Sequence, residues 1–367
     1  MTRLEAAKYG RIDPMLAALE ELVKLESPTD DLQSCRDVVR LASDIANRVL
    51  GIPAEIREIK GRPVFWWGDA TPEIVVLAHL DTVWPIGSFT PLWSVEGNIA
   101  KGPGIFDMKT GFVQALFAMK GLEGSVALIA TTDEETGSQS SKELIADISK
   151  NAKAVLILEA TLDGKVKTAR KGTAMYQIRA IGRASHAGLE PEKGINSSIE
   201  IAHIIISLAA LENKGLGTTV VPTMIRSGNT TNTVPDMAVL DVDARSFSLA
   251  ELERVDRAIH NLIPQHLEAK FEISGGFNRP PLEAKSTMAL YERVEKVAKA
   301  LGMPPLGHAA VGGASDGNFA AAAGAQVLDG LGAIGGGAHA PSEWVDISTM
   351  HERSALLHAL IKDLLND

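Results

Sequence analysis

Apolar positions recur at three- and four-residue intervals over Leu16–Leu25 and Leu32–Leu50, which predicts two amphipathic helices separated by the turn Ser27-Pro28-Thr29-Asp30. Beyond them the pattern changes to short, continuous apolar runs. Ile74–Leu77, Val126–Thr131 and Ala154–Leu158 are predicted as buried strands, with helices over Gly111–Leu122 and Ser140–Ile148. Buried strands that alternate with helices predict an α/β fold with a doubly wound, largely parallel sheet.

The pattern changes again near Arg170. A strand over Thr173–Ile181, a helix over Ser197–Leu211, strands over Thr218–Ile225 and Ala238–Asp243, a helix over Leu249–Leu267 and a strand over Lys270–Ser274 follow in turn. That order, β-α-β-β-α-β, is the order of a ferredoxin-like unit. After Pro280-Pro281 come a helix over Met288–Leu301, a glycine-rich stretch over Gly312–Gly337 and a last helix near Ser348–Leu365. The expected organisation is one α/β domain, residues 1–169 and 281–367, interrupted by an inserted α+β domain, residues 170–280.

Composition narrows the function classes. With 367 residues, 45% apolar and 22% charged, the chain is globular and long enough for two domains. Its formal charge of −10 argues against nucleic acid as the main partner. Cys35 is the only cysteine, so there is neither an intramolecular disulfide nor a thiolate metal cluster, and its helical neighbourhood points to packing. Residues 1–13 lack the apolar core of a signal peptide, and no apolar run reaches membrane-spanning length, so a cytoplasmic protein with no membrane partner is expected.

The candidate chemistry lies where the predicted strands end. Strand Ile74–Leu77 runs into Ala78-His79-Leu80-Asp81-Thr82, and in extended chain His79 and Asp81 point to the same side. A carboxylate so placed suits the second ring nitrogen of a metal-bound imidazole. Gly102-Pro103-Gly104 leads into Phe106-Asp107-Met108-Lys109; strand Val126–Thr131 ends in Thr132-Asp133-Glu134-Glu135; strand Ala154–Leu158 ends in Glu159. Late in the chain comes Gly335-Gly336-Gly337-Ala338-His339. Open α/β sheets bind ligands outside the carboxyl ends of their strands. Two histidines and several carboxylates suit a pair of zinc, cobalt or manganese ions.

In this order the segments resemble one family. His79-Leu80-Asp81-Thr82-Val83, Asp107-Met108-Lys109-Thr110-Gly111, Thr132-Asp133-Glu134-Glu135, Leu158-Glu159-Ala160-Thr161, Ala184-Ser185-His186-Ala187-Gly188, Asn232-Thr233-Val234-Pro235 and the His339 loop are similar to the two-zinc metallopeptidases and deacylases. That group includes glutamate carboxypeptidase, acetylornithine deacetylase, succinyl-diaminopimelate desuccinylase and aminoacylase. The glutamate carboxypeptidase branch is the most similar.

The resemblance implies a catalytic domain with a mixed sheet and an inserted lid or dimerisation domain. It implies hydrolysis of an amide or peptide bond beside a free carboxylate, in a small peptide or an N-acyl amino acid. It further implies two Zn2+, with Co2+ or Mn2+ as substitutes: His79 and Glu159 on one, Glu135 and His339 on the other, and Asp107 between them. Glu134 matches the general base, Asp81 the carboxylate that orients His79, and Arg245 the arginine that grips a substrate carboxylate. His186 and Asn232 match substrate-side groups that in several members come from a partner subunit; if His186 acts in trans a homodimer through the inserted domain is required, and a monomer is the alternative.

Three other readings are open. An N-acyl amino acid deacylase would use the same residues. Gly313-Ala314-Ser315-Asp316-Gly317 fits the nucleophile elbow of serine hydrolases, although His308-Ala309-Ala310-Val311-Gly312 is a poor strand to precede it. In the metal reading, Gly313 and Ser315 line the substrate-carboxylate pocket instead. A non-catalytic protein would keep metal only for structure, but such sites are usually closed and often contain cysteine. Of the remaining histidines, His203, His260, His266, His351 and His358 are expected in core or surface roles, and His308, near the glycine-rich stretch, is left open.

Overall fold

The computed structural model describes residues 13–367. The chain divides into two compact units. One holds the described residues up to Ala169 together with Glu283–Val311 and Ser315–Asp367; the other holds Arg170–Leu282 and Gly312–Ala314.

The first unit is built on a six-stranded mixed sheet in the order Glu55–Ile59, Arg62–Gly68, Val126–Thr131, Ile74–His79, Ala154–Ile157, Val327–Leu328. The last four run parallel, and the first two form an antiparallel hairpin at one edge. Every residue of Ile74–His79, Val126–Thr131 and Ala154–Ile157 is buried, as expected of strands covered on both faces. Helix Leu32–Leu50 starts on Asp31, whose carboxylate accepts Ser34 N–H at 3.0 Å, and stops at Gly51, which takes the left-handed conformation that favours glycine. Its Val38, Val39 and Ile45 share one core with Leu357, Leu360 and Leu364 of helix Met350–Leu365. Because the three buried strands are parallel neighbours, their carboxyl ends open at one edge of the sheet.

A small antiparallel sheet ties the late glycine loop into this unit. Its order is Gly335–Gly336, Trp344–Asp346, Ile99–Lys101, Ser94–Glu96. A Cβ at position 335 would lie 2.1 Å from the Trp344 carbonyl oxygen, so only glycine fits the pairing.

The second unit has a four-stranded antiparallel sheet in the order Lys270–Arg279, Gly172–Ile181, Met237–Ser246, Thr219–Ser227, with helices Ser197–Ala209 and Leu249–His260. The β-α-β-β-α-β sequence and this strand order make a ferredoxin-like arrangement. Alternation sends Ala174, Tyr176, Ile178 and Ala180 into its core, together with Ala238, Leu240, Val242 and Ala244 from the neighbouring strand. The helix expected to reach Leu267 stops at His260. Pro264 supplies no amide donor and disfavours helical geometry in the residue before it. The turn that follows is held by Glu200, whose carboxylate accepts Gln265 N–H at 2.8 Å and His266 N–H at 3.0 Å.

Candidate metal centre

The three strand ends and two loops of the first unit bring seven of the expected residues together. His79 closes its strand, and its ring is almost wholly buried. Its Nε2 lies 3.3 Å from Asp107 Oδ1 and 3.8 Å from Glu159 Oε1. The other oxygen of Asp107, Oδ2, lies 3.4 Å from His339 Nε2, which is also 3.1 Å from Glu135 Oε2. Asp107 therefore stands between the two imidazoles, one oxygen to each. Donor atoms of His79, Asp107 and Glu135 fall within 4.8 Å of one another, and so do those of His79, Glu134 and Glu159. The adjacent glutamates thus diverge, one into each group.

The electrostatics of the cluster call for positive charge. Burial opposes the imidazolium of His79, but Asp107 and Asp81 more than reverse this and hold its pKa well above the ordinary value. Hydrogen bonds to Asp107 and Glu135 raise that of His339 to about 10. Burial would lift the Asp107 carboxyl, yet its two histidines hold it far below the ordinary range. Two imidazoles facing three carboxylates form a donor set that divalent cations take up in exchange for such protons. The residues present fit a metal pair.

Asp81 approaches His79 with two atoms. Its backbone oxygen lies 3.1 Å from Nδ1 and its Oδ1 3.4 Å away, while Oδ2 accepts from Thr29 Oγ1 at 2.7 Å and from Glu135 N–H at 3.2 Å. The carboxylate thereby links the His79 strand to the Glu135 turn. A second backing group, Glu343, has no role in the sequence reading. It is fully buried, and its carboxylate accepts four hydrogen bonds: Trp84 Nε1–H and Gly104 N–H at 3.0 Å, Phe106 N–H at 2.8 Å and Asp107 N–H at 3.1 Å. Its only signal in the sequence is an acidic residue four places after His339. Lys109 is also fully buried; its ammonium donates to the Leu22 and Leu25 carbonyls, both at 3.0 Å, and burial lowers its pKa to about 8.

Other expected residues lie in the second unit. His186 pairs with Thr233 in a two-stranded ribbon that Asn232 adjoins, and Ala187 N–H donates to the Asn232 carbonyl at 2.9 Å. His186 Nδ1 accepts from Gly188 N–H and Leu189 N–H, both at 3.1 Å, which leaves its proton on Nε2 as an outward donor. In Arg245, Nε and Nη2 hold Asp243 at 2.9 and 3.1 Å, so the side of the guanidinium is occupied. Its Nη1 reaches the Gly312 carbonyl at 3.4 Å, and Gly313 receives Arg170 through its own carbonyl at 3.3 Å.

Ser315 departs from expectation. In the first unit it is fully buried; its hydroxyl donates to Asp329 Oδ2 at 2.7 Å and accepts Gly317 N–H at 3.2 Å. That hydroxyl ties its own loop together, which suits neither a nucleophile nor a substrate contact. The histidines expected to be structural are so placed where contacts define them: His351 pairs with Asp13 at 2.7 Å and His358 lies 2.8 Å from the Ala118 carbonyl.

Residues 75–363 match Peptidase family M20/M25/M40. The chain belongs to that family. It is 29% identical to carboxypeptidase G2 of Pseudomonas sp. (strain RS-16), over 95% of this chain and 89% of that one. It is 26% identical to succinyl-diaminopimelate desuccinylase of Methylococcus capsulatus, over 94% and 97% respectively. Among solved structures, a tripeptidase from Staphylococcus aureus shares the fold with a TM-score of 0.77 and 20% identity, covering 97% of this chain and all of that one. The chain is thus a metal-dependent hydrolase. Among the described residues no helix is long and apolar enough to cross a membrane.

Replacing Glu343 with Gln converts one acceptor oxygen into an amide that cannot accept, so buried donors of the Gly104–Asp107 loop lose their partner. Glu343→Gln is expected to fold and to bind metal about 10–100-fold more weakly, measured by competition with a chromophoric chelator. Unchanged affinity would show that the loop keeps its shape without this carboxylate.

Proposed function

We propose that this chain is a two-zinc carboxypeptidase that cuts the amide bond beside a free carboxylate and releases a C-terminal amino acid such as glutamate. The observation that carries the reading is Asp107, with one oxygen toward His79 and the other toward His339. In this reading His79 and Glu159 would hold one ion and Glu135 and His339 the other, with Asp107 shared by both. Two imidazoles and three carboxylates without a thiolate suit zinc, with cobalt or manganese as substitutes. When bound, such ions polarise a carbonyl and make a water acidic enough to lose its proton near neutral pH.

Glu134 is buried and directed to the His79 and Glu159 side of the cluster. As general base it takes the proton of the attacking water and returns it to the departing amine. His186 donates from Nε2 to the oxyanion as the carbonyl becomes tetrahedral, and Asn232 positions its ribbon. Arg245 binds the substrate carboxylate through the end of its guanidinium, with Asp243 holding the plane fixed. Gly313 belongs to the same carboxylate pocket, through the loop it shares with Gly312. The relationship to carboxypeptidase G2 supports a peptidyl amide, and that to succinyl-diaminopimelate desuccinylase an N-acyl amino acid; the chemistry is the same for both. The reading includes a homodimer through the inserted unit, whose helix Ser197–Ala209 exposes Ile199 and Ile206 and whose edge strand exposes Met224 and Ile225. A lone buried cysteine accords with a cytoplasmic location.

Glu134→Gln is expected to retain its metals while kcat falls about 10²–10⁴-fold, and chelation is expected to abolish wild-type turnover until zinc is restored. Retained turnover in the variant would remove Glu134 as the base, and indifference to chelation would sink the whole reading. Arg245→Ala should raise KM about tenfold or more for a substrate with a free carboxylate, and should barely affect its methyl ester. Equal losses on acid and ester would place the carboxylate grip elsewhere. Sedimentation is expected to return a dimer mass; a monomer with full activity would exclude both the dimer and a His186 acting across it.

A further inference from the structure

Antiparallel pairing with Val126–Thr131 sets the start of strand Arg62–Gly68 beside the carboxyl end of that neighbour, where Glu134 and Glu135 follow. The Thr132 hydroxyl extends the register by donating to the Pro63 carbonyl at 2.8 Å. The edge hairpin therefore delivers an arginine next to the ligand cluster. Arg62 is half-buried there, and its Nη1 donates to the Thr29 carbonyl and, at 3.3 Å, to the Thr132 carbonyl. One guanidinium nitrogen carries two hydrogens, so both carbonyls are served at once.

These two carbonyls close a ring. The Thr29 hydroxyl donates to Asp81 Oδ2 at 2.7 Å, and the same oxygen accepts Glu135 N–H at 3.2 Å. Three residues back along the chain, Thr132 returns to Arg62. Glu134 lies within that last span, so the ring that contains it is completed by the guanidinium.

Without Arg62 the ring has a poor substitute. Cys35 Sγ lies 3.9 Å from the Thr29 carbonyl, 3.8 Å from the Thr132 carbonyl and 3.7 Å from Arg62 Nη1. A thiol offers one weak donor and cannot serve both oxygens. Two carbonyl dipoles that converge on one point move apart when the donor between them is removed.

We infer that Arg62 is a positioning residue for hydrolysis: its guanidinium fixes the distance between the turn that holds Asp81 and the segment that carries Glu134. The inference rests on the hydrolase reading above and adds to it a side chain from an element that supplies no ligand.

The test compares Arg62→Ala with Arg57→Ala, which removes a different cation of the same hairpin, stacked 3.6 Å over the Trp66 ring. Thermal unfolding confirms that both fold; should Arg62→Ala fail to fold, Arg62→Lys, which keeps a donor on a shorter arm, takes its place. On the zinc-saturated protein with N-benzoylglutamate, Arg62→Ala is expected to lose about 10–100-fold in kcat while KM stays within about twofold, and Arg57→Ala to match wild type. In the cobalt-loaded protein the visible absorption bands are expected to shift in the Arg62 variant alone, because Asp81 contacts both His79 and the Glu135 turn. A kcat within about twofold of wild type, a KM that rises as much as kcat falls, an equal loss in Arg57→Ala or unmoved cobalt bands would each overturn the positioning role and leave the hydrolase reading intact. If wild type cleaves neither N-benzoylglutamate nor a dipeptide, that reading fails, and the cobalt spectra decide the role of Arg62 alone.

Discussion

Asp107 lies between two imidazoles, with Glu134, Glu135 and Glu159 close by, and this crowding of negative charge is what the rest of the first unit has to support. Carboxylates do not gather in a buried place unless something positive balances them. The parallel order of Val126–Thr131, Ile74–His79 and Ala154–Ile157 brings three chain segments to one sheet edge with their ends open. The glycine loop, paired through Trp344–Asp346 to Ile99–Lys101, brings His339 from the far end of the chain to the same place. His339 itself sits at a positive φ of 60°, a conformation uncommon outside glycine, at the tip of that loop.

Around the cluster two buried carboxylates tie the loops that carry its donor atoms. Asp81 joins the His79 strand to the Glu135 turn, and Glu343 gathers three consecutive or near-consecutive amides of the Asp107 loop with the indole of Trp84. Both are anions held by donors that belong to the loops they shape. Ligand geometry is thus a property of the loops' own hydrogen bonding, which is how outer groups commonly tune a metal site.

How much of this could be read in advance follows from how local each cause is. The buried strands announce themselves as unbroken apolar runs, and the polar residues of the cluster stand directly behind them, so His79, Glu134, Glu135 and Glu159 are legible as candidates. The edge hairpin Glu55–Ile59 and Arg62–Gly68 was not marked, because Glu55, Arg57 and Glu58 interrupt any apolar pattern. Helix Leu249–His260 ends earlier than the sequence predicts, because apolar residues continue at Ile263 and Leu267 on either side of Pro264. Glu343 was invisible for a different reason: its partners lie more than 230 residues away, and only the folded chain brings them to it. Ser315 shows the converse, a motif spelled out in the sequence whose hydroxyl the fold has turned inward to Asp329.

Lys109 gives helix Pro14–Lys24 an unexpected standing. Its ammonium, two residues after Asp107, ends on the Leu22 and Leu25 carbonyls at the close of Pro14–Lys24. An ammonium buried that deeply relies on those carbonyls, so the helix and the loop form one packed unit. Shortening the chain from its amino end would therefore strand a cation beneath the reactive centre, and a segment that contributes no ligand becomes one the centre cannot lose.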